Sequence, residues 1–175
     1  MGRAVEVVSY DPNWACQYRL EAEVLSAVLG DQALAVHHIG STAVPGMPAK
    51  PIIDLMVEVR AIERIDDLNE GLLGLGYLPK GEFGIPGRRF FIKPGEDVRT
   101  HHVHMFAAGN SEIVRHLRFR DYLIAHPQEA KRYGCLKRML AQRFHTDIGA
   151  YMDGKDSTVG ELDRKAMAWV DSRNA

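Results

Sequence analysis

Apolar residues in the first third of the chain follow helical spacing first and strand-like spacing afterwards. Over residues 13–29 they recur every three or four positions and Gly30 follows, which predicts a helix that ends there. Residues 33–39 and 52–59 are short apolar runs, which predict two β-strands. The stretch between them, GSTAVPGMPAKP, contains two glycines and three prolines and therefore predicts a structured turn.

The middle of the chain predicts one more helix and three more strands. Residues 61–75 are amphipathic and predict a helix, despite Gly71 and Gly74. The stretches YLPKG, RRFFIK and RTHHVHMF predict short strands, separated by the loops EFGIPG and PGED.

The last third of the chain has a helical pattern throughout. We expect a first helix over 111–125, capped by Asn110 or Ser111. The pair His126-Pro127 is typical of a helix start and predicts a second helix over 127–144. A third helix is predicted over 147–172, where apolar residues lie three or four positions apart.

These elements predict a single domain of the α/β (α+β) class over residues 1–175. Its α/β core would comprise residues 1–108, and a helical portion would follow at 109–175. The chain has no internal repeat, low-complexity tract or linker that would favour a division into separate domains.

The composition of the chain is typical of a globular protein and lacks the features of membrane, secreted or disulfide-rich proteins. The hydrophobic fraction of 46% and the charged fraction of 26% are ordinary for a globular protein. A net charge of −1 gives no global field that would mark a nucleic-acid or membrane binder. The first residues lack the apolar core of a signal peptide, and no apolar run has the length of a membrane span. Cys16 and Cys135 lack disulfide-framework or metal-binding spacing, so we expect a cytoplasmic protein with reduced thiols.

Alternation within three predicted strands places polar side chains on one common face. The strands 52–59, 88–93 and 100–106 each combine an apolar side with a charged or polar side, and Phe90 and Ile92 are predicted on the apolar side. If helices cover the apolar side, the other side shows two acids, two histidines and two cations. These residues are Asp54, Glu58, His102, His104, Arg89 and Lys93.

Asp54 is the residue on this face that most needs a partner. A carboxylate in the middle of a strand needs a cation or hydrogen-bond donors to stay ionised. His102 and His104 form an H-x-H pair, which can bind a transition metal together with a carboxylate from a neighbouring strand. The alternatives are a salt-bridged or capping role for Asp54 and two ordinary polar-face histidines. Arg89 and Lys93 suit an anionic substrate, or else they solubilise an edge strand.

A second group of residues suits the binding of phosphate. Gly40 lets the backbone approach a ligand closely, and the hydroxyl of Ser41 with the amides that follow, starting at Thr42, can hold phosphate oxygens. Lys155 interrupts the apolar side of the last helix, and Lys50 lies just before the Asp54 strand. Each lysine either reaches a phosphate or keeps its ammonium group in solvent.

These residues lie in stretches that resemble the GrpB family. The stretches are HHIGSTAVPGMPAKPIIDL, RTHHVHMF, FRDYLIAHPQEAKRYGCLKRMLA and YMDGK, and the resemblance covers about residues 5–172. The same domain also occurs fused to dephospho-CoA kinase. The family is assigned to the polymerase-β-like nucleotidyltransferase superfamily, which implies a nucleotidyltransferase-like mixed β-sheet with helices on one face and a C-terminal helical portion.

In that superfamily a Gly-Ser turn precedes a strand with two acids, which hold two divalent ions that orient nucleotide phosphates. By resemblance, Gly40 and Ser41 match the turn and Asp54 matches the first acid. The second acid is expected at position 56, where this chain has Met56. If a histidine replaces that acid as a ligand, Mn²⁺ or Zn²⁺ is favoured over Mg²⁺.

Three functions therefore stay open. The first is a metal-dependent nucleotidyltransferase for a nucleotide or another phosphorylated ligand, with Asp54, His102 and His104 as catalytic and metal-binding residues. The second is a non-catalytic module for nucleotide or phosphate binding, or for folding assistance, that has lost the second acid. The third is a metal-dependent hydrolase built on the two histidines. Met56 weakens the first function, is neutral for the second and agrees with the third.

Overall fold

The computed structural model describes residues 4–95 and 98–174, which form two compact units. The sheet unit consists of the described residues within 12–39 and 52–114, and the helical unit of those within 4–11, 40–51 and 115–174. Glu96 and Asp97, in the predicted PGED loop, lie outside the described residues. The segment 40–51, predicted as part of the α/β core, groups with the late helices. That the two units form one domain stays a prediction.

The sheet unit contains a mixed sheet of five strands. The strands are β1 Ala33–Ile39, β2 Ile53–Val59, β3 Leu78–Pro79, β4 Arg88–Pro94 and β5 Arg99–Ala107. Their order across the sheet is β1-β2-β5-β4-β3, and only β2 and β5 run parallel to each other. The predicted mixed α/β class is confirmed, and β2 and β5, which carry Asp54 and the two histidines, are adjacent interior strands.

The first helix covers one face of this sheet. In α1, Asn13–Leu29, the hydroxyl of Tyr18 donates a 2.8 Å hydrogen bond to the carbonyl oxygen of Val36, and its ring stacks on His38. His38 is paired with Leu55 in the sheet. The covered face is therefore the aliphatic face of β2, as the alternation of residues predicted.

The helix predicted over 61–75 is divided into two short helices. Ile62–Leu68 is a 3₁₀ helix, and α2 spans Asn69–Gly74. The adjacent Asp66 and Asp67 favour turns over helix interiors, and a glycine costs about 1 kcal/mol relative to alanine within a helix. The amphipathic pattern predicts helical structure here, but these residues do not sustain one long α-helix.

The helical unit is built from the three late helices and a short turn. The elements are the 3₁₀ turn Ser41–Ala43, α3 Ser111–Ala125, α4 Pro127–Arg143 and α5 Ile148–Asn174. Residues of α3 from Arg115 onward belong to this unit. Two groups of buried residues form its core. One includes Val44, Met47, Leu123, Tyr133 and Leu162, and the other comprises Val5, Leu140, Ala141 and Tyr151.

No helix in the described part of the chain combines the length and the apolar composition that crossing a bilayer requires.

The predicted orientation of β4 is wrong. In the sheet Phe90 pairs with His104 and Ile92 with His102, so both apolar side chains lie on the face of Asp54. Arg89 pairs with Met105, which places it on the opposite face, together with Lys93. RRFFIK has bulky residues on both sides of the strand, so alternation alone did not fix the register. The Asp54 face, as we call it, carries Ile39, His37, Asp54, Met56, Glu58, Arg88, Phe90, Ile92, His102, His104 and Phe106.

Candidate functional site

Three of the predicted site residues meet on the Asp54 face. Asp54 and His102 are direct partners across the parallel pair β2–β5, and His104 follows two residues later on the same side. Nδ1 of His102 lies 3.2 Å from Oδ1 of Asp54, and Nε2 of His104 lies 3.6 Å from the same oxygen. The side chain of Asp54 is 28% exposed, so solvent reaches this cluster. The sequence prediction that these three residues share a face is confirmed.

The histidines keep Asp54 ionised. Burial alone would raise the pKa of the Asp54 carboxyl, but hydrogen bonds from His102 and His104 and their positive charge in acid outweigh burial. The net result is a pKa well below the ordinary value for an aspartate. Asp54 is therefore a charged acceptor at neutral pH, supplied with donors by the protein itself.

Arg88 determines which nitrogen of His104 carries the proton. Its Nη1 lies 3.2 Å from Nδ1 of His104. A guanidinium only donates hydrogen bonds, so Nδ1 of His104 must be the acceptor. In the neutral imidazole the proton is then on Nε2, the nitrogen that faces Asp54. Arg88 thus orients His104 toward the carboxylate.

Arg88 is itself firmly held and was missed by the sequence analysis. Its Nε and Nη2 donate to the carbonyl oxygens of Glu82 and Phe83 at 3.1 and 2.7 Å, and its guanidinium lies 4.7 Å from the centre of the Phe90 ring. Only 6% of the residue is exposed. Either arginine of the RRFFIK stretch fits an alternating pattern, and only the pairing of β4 with β5 distinguishes them.

His102 has a different proton arrangement from His104. Its Nδ1 faces an ionised carboxylate, which only accepts, so Nδ1 carries the proton and Nε2 has a free lone pair in the neutral ring. Nε2 is buried, and the described residues offer it no hydrogen-bond partner. The ring of Phe90 packs against it at a centroid distance of 5.4 Å. Asp54 and His102 together form an oriented acid–histidine pair with one unused acceptor.

A two-metal site does not fit these residues. Met56 is fully buried at the position expected for the second acid. Nε2 of His104 carries a proton while Arg88 bonds Nδ1, so it has no lone pair for a metal. Consistent with this, the residues within 4–95 and 98–174 include no group of three His, Cys, Asp or Glu side chains placed to hold a metal ion. The predicted ligand set of Asp54, His102 and His104 therefore lacks one of its three donors.

Arg89 and Lys93 do not join the Asp54 cluster. On the opposite face Arg89 forms a double hydrogen bond with Asp66, at 2.7 and 2.8 Å. Lys93 donates to Glu21 of α1 at 2.6 Å, and Tyr77 donates to the same carboxylate oxygen at 2.9 Å. The predicted placement of both cations on the face of Asp54 is corrected, because the register of β4 turns them toward these acids.

A second acid–histidine pair on the Asp54 face was also missed. Nε2 of His37 lies 2.7 Å from Oε1 of Glu58, and each side chain is 24% exposed. Alternation in the sequence predicts Glu58 on this face but does not predict its partner. The alternating pattern of β1, which puts His37 on the same side as Ile39, was the available signal.

In the helical unit the Gly-Ser segment forms a closed turn. Gly40 has a φ of 70°, a conformation that favours glycine. The amides of Ala43 and Val44 donate to the carbonyl oxygens of Gly40 and Ser41, both at 3.2 Å. Thr42 is 2% exposed. Those two amides are therefore engaged within the turn, and the phosphate-binding role of Gly40, Ser41 and Thr42 stays a prediction.

Lys50 and Lys155 both lie near the ring of Tyr151. Their ammonium nitrogens lie 5.5 and 5.1 Å from the centre of the same ring, that of Tyr151. Tyr151 is 1% exposed, and burial raises its pKa to about 12, so the phenol is neutral at physiological pH. Two lysines from distant parts of the sequence thus share one aromatic ring in the helical unit.

A third lysine of the helical unit is buried and was not predicted. Lys137 is 2% exposed, and its ammonium nitrogen lies 4.8 Å from the centre of the Tyr133 ring. The sequence did contain a signal, because Tyr133, Lys137 and Ala141 follow one another at i, i+4 and i+8 on the buried side of α4. A cation in that series is as unusual as Lys155 in α5.

Comparison with known proteins finds close relatives. A family model described as GrpB protein matches residues 4–165. UPF0157 protein YqkA of Bacillus subtilis (strain 168) is 48% identical over 172 residues, which cover 98% of this chain and 50% of that protein. The chain therefore spans about half the length of that relative. A dephospho-CoA kinase of Mycolicibacterium paratuberculosis is 31% identical over 193 residues, covering 96% of this chain and 47% of that protein.

Solved structures give a consistent result. The crystal structure of conserved protein GrpB from Enterococcus faecalis matches with a TM-score of 0.91 and 43% identity, over 94% of this chain and 99% of that one. A cytoplasmic RNA terminal U-transferase matches with a TM-score of 0.47 and 14% identity, over 75% of this chain and 44% of that one. The match to the RNA terminal U-transferase is distant and carries no argument about activity.

Proposed function

The chain belongs to the GrpB family, and we propose that it binds a nucleotide or another phosphorylated small molecule without two-metal nucleotidyl transfer. The observation that carries the proposal is the convergence of Lys50 and Lys155 on Tyr151. Two ammonium groups lie beside one neutral, buried ring. Ammonium groups are donors that suit a phosphate group, which offers several charged acceptor oxygens.

Lys137 supports the same ligand class. Gly134 lies one turn before it on α4 and packs against Pro48, while Ala141 lies one turn after it in the core group that contains Tyr151. On α4, Lys137 therefore lies between Gly134, which packs on Pro48 close to Lys50 in sequence, and Ala141, which belongs to the same core group as Tyr151. We assign Lys50, Lys137 and Lys155 to the binding of the ligand's phosphate.

The Asp54 face supports recognition rather than metal chemistry. Asp54 already receives a hydrogen bond from His102, and Arg88 keeps the Nε2 proton of His104 directed at the carboxylate from 3.6 Å. Within the sheet unit, an ionised carboxylate in this setting is suited to accept a hydrogen bond from a hydroxyl or amino group, a role separate from that of the lysines of the helical unit. Of the three predicted metal ligands, His104 has no free lone pair, and that of His102 is on the buried Nε2, which faces away from Asp54. For the same reason we do not propose the hydrolase.

The proposal is tested by thermal unfolding of the purified protein with ATP, GTP, CTP, UTP and dephospho-CoA. Dephospho-CoA is included because this chain matches 47% of the length of a dephospho-CoA kinase of Mycolicibacterium paratuberculosis. Each ligand is used with EDTA and, in parallel, with Mg²⁺, Mn²⁺ or Zn²⁺. A ligand at about 100 times its dissociation constant stabilises the fold by roughly 2.7 kcal/mol, which thermal unfolding detects readily.

Three substitutions locate the ligand. Lys50→Gln, Lys155→Gln and Lys137→Met should each abolish the stabilisation, whereas Lys80→Gln, which alters an exposed lysine of the sheet unit, should preserve it. We expect the stabilisation to persist in EDTA. A shift that requires metal and disappears in Asp54→Asn would favour nucleotidyl transfer instead. The absence of a shift with every ligand would refute nucleotide binding.

A further inference from the structure

The helical unit contains a pocket that the proposed function does not use. Its volume is about 670 Å³, within the range of small-molecule sites. The residues around it come from the segment 45–48 and from α3 and α4. Met47, Leu123 and Ala130 form an apolar floor and are at most 6% exposed. The floor of the pocket is therefore apolar and closely packed.

The walls of this pocket are held in place before any ligand arrives. Gly134 packs so closely on Pro48 that an added Cβ atom would lie 2.7 Å from the proline Cδ. Pro45, Pro48 and Pro127 all line the pocket, and each proline fixes its own φ angle. A wall of this kind loses little conformational entropy when a ligand binds, which favours affinity.

The rim of the pocket is positively charged. Lys131, Cys135 and Arg138 lie at i, i+4 and i+7 on α4, all three exposed at its edge. Arg138 donates one hydrogen bond to Ser9 at 2.9 Å, and its other N–H groups can serve a ligand. None of the residues that line the pocket is acidic.

We propose that this pocket binds a small amphipathic anion, with an apolar body and one carboxylate, sulfonate or phosphate group. The apolar body would occupy the floor at Met47, Leu123 and Ala130, where its burial displaces water. The anionic group would lie between Lys131 and Arg138, about two helical turns apart on α4. A neutral or cationic molecule of the same shape would contact the apolar floor but would not gain the attraction of Lys131 and Arg138.

The proposal is tested with 8-anilinonaphthalene-1-sulfonate, whose fluorescence reports binding, on the full chain. The double reversal Lys131→Glu/Arg138→Glu should weaken binding by at least about tenfold. The control Arg19→Glu/Lys80→Glu makes the same change in net charge at exposed positions of the sheet unit and should leave the affinity unchanged. Octanoate should displace the dye, and octylamine should not. Equal weakening in both double variants, or displacement by octylamine as well as octanoate, would overturn the proposal.

Cys135 offers a second readout that does not depend on dye fluorescence. The chain has two cysteines, both exposed, and only Cys135 lines the pocket. Octanoate should slow alkylation of Cys135 in Cys16→Ser and leave alkylation of Cys16 unchanged in Cys135→Ser. Alkylation rates that octanoate does not change at either cysteine would place the anion elsewhere and refute the site. Melting curves recorded for each variant show that it is folded.

Discussion

Arg88 and Arg89 are neighbours in sequence and should differ sharply in importance. Replacing Arg88 with methionine keeps much of the side-chain volume but removes its hydrogen bonds to Glu82, Phe83 and His104. Replacing Arg89 with methionine removes an ion pair with Asp66 whose carboxylate is half-exposed. The two variants have the same composition and net charge, so their difference isolates the environment of each arginine.

The magnitude follows from the contacts of each side chain. Three hydrogen bonds at roughly 1 kcal/mol each, with a cation–π contact of about 0.5–1 kcal/mol, give about 3–4 kcal/mol for Arg88. Burial of the guanidinium lowers the pKa of Arg88, and the methionine variant recovers part of that desolvation cost. We therefore expect Arg88→Met to cost about 2–3 kcal/mol and Arg89→Met about 1 kcal/mol or less.

Urea unfolding followed by circular dichroism measures both free energies of unfolding. High salt should reduce the effect of Arg89→Met and leave most of the effect of Arg88→Met, because buried contacts are screened less. Equal losses in the two variants, or a larger loss for Arg89→Met, would refute the reasoning and the register of β4 on which it rests.

Two further predictions concern α5 and Asp54. A Cβ atom at Gly154 would lie 2.6 Å from Leu140 Cδ2, so Gly154→Ala should destabilise the protein by about 1–2 kcal/mol. Gly160 lies in open space on the same helix, so Gly160→Ala should stabilise the protein by up to about 1 kcal/mol. Urea unfolding of both variants measures these changes, and equal effects would contradict the packing of Gly154 on Leu140. The pKa of native Asp54 lies below its ordinary value of 3.8, so its contribution to stability is present above that pH and is lost as the pH falls through the lower native value. Unfolding free energies measured from about pH 5 downward should therefore fall more steeply for the wild type than for Asp54→Asn, and parallel curves would exclude a special role for the ionised carboxylate.

The faces of β2 and β5 could be predicted because the ionisable residues of each strand are concentrated on one face. In β2 the aliphatic residues alternate with Asp54 and Glu58, and in β5 Val103 alternates with the two histidines, so period-two alternation fixed both faces. In β4 three consecutive residues are buried, Phe90, Phe91 and Ile92, so either face could be the apolar one. Only long-range pairing with β5 decides its register, and a single sequence does not contain that information.

The same limit applies to the candidate site. Asp54, His102 and His104 were found because each is polar in an apolar strand. Arg88 was missed because its role depends on the register of β4, and Lys137 because a lysine in a helix is ordinarily exposed. The convergence of Lys50 and Lys155 on Tyr151 joins residues that are distant in the chain, and no local pattern predicts such a contact.

The most direct test of the account is the protonation of the two site histidines, measured by long-range ¹⁵N–¹H correlation NMR at mildly alkaline pH. Spectra of Asp54→Asn and Arg88→Met assign the signals of His102 and His104. The account predicts a proton on Nε2 of His104 and on Nδ1 of His102, with neither changed by added Mg²⁺, Mn²⁺ or Zn²⁺. A proton on Nδ1 of His104 would leave its Nε2 free to coordinate a metal, and a metal-dependent loss of the Nε2 proton would show that the Asp54 face binds metal; either result would contradict the account.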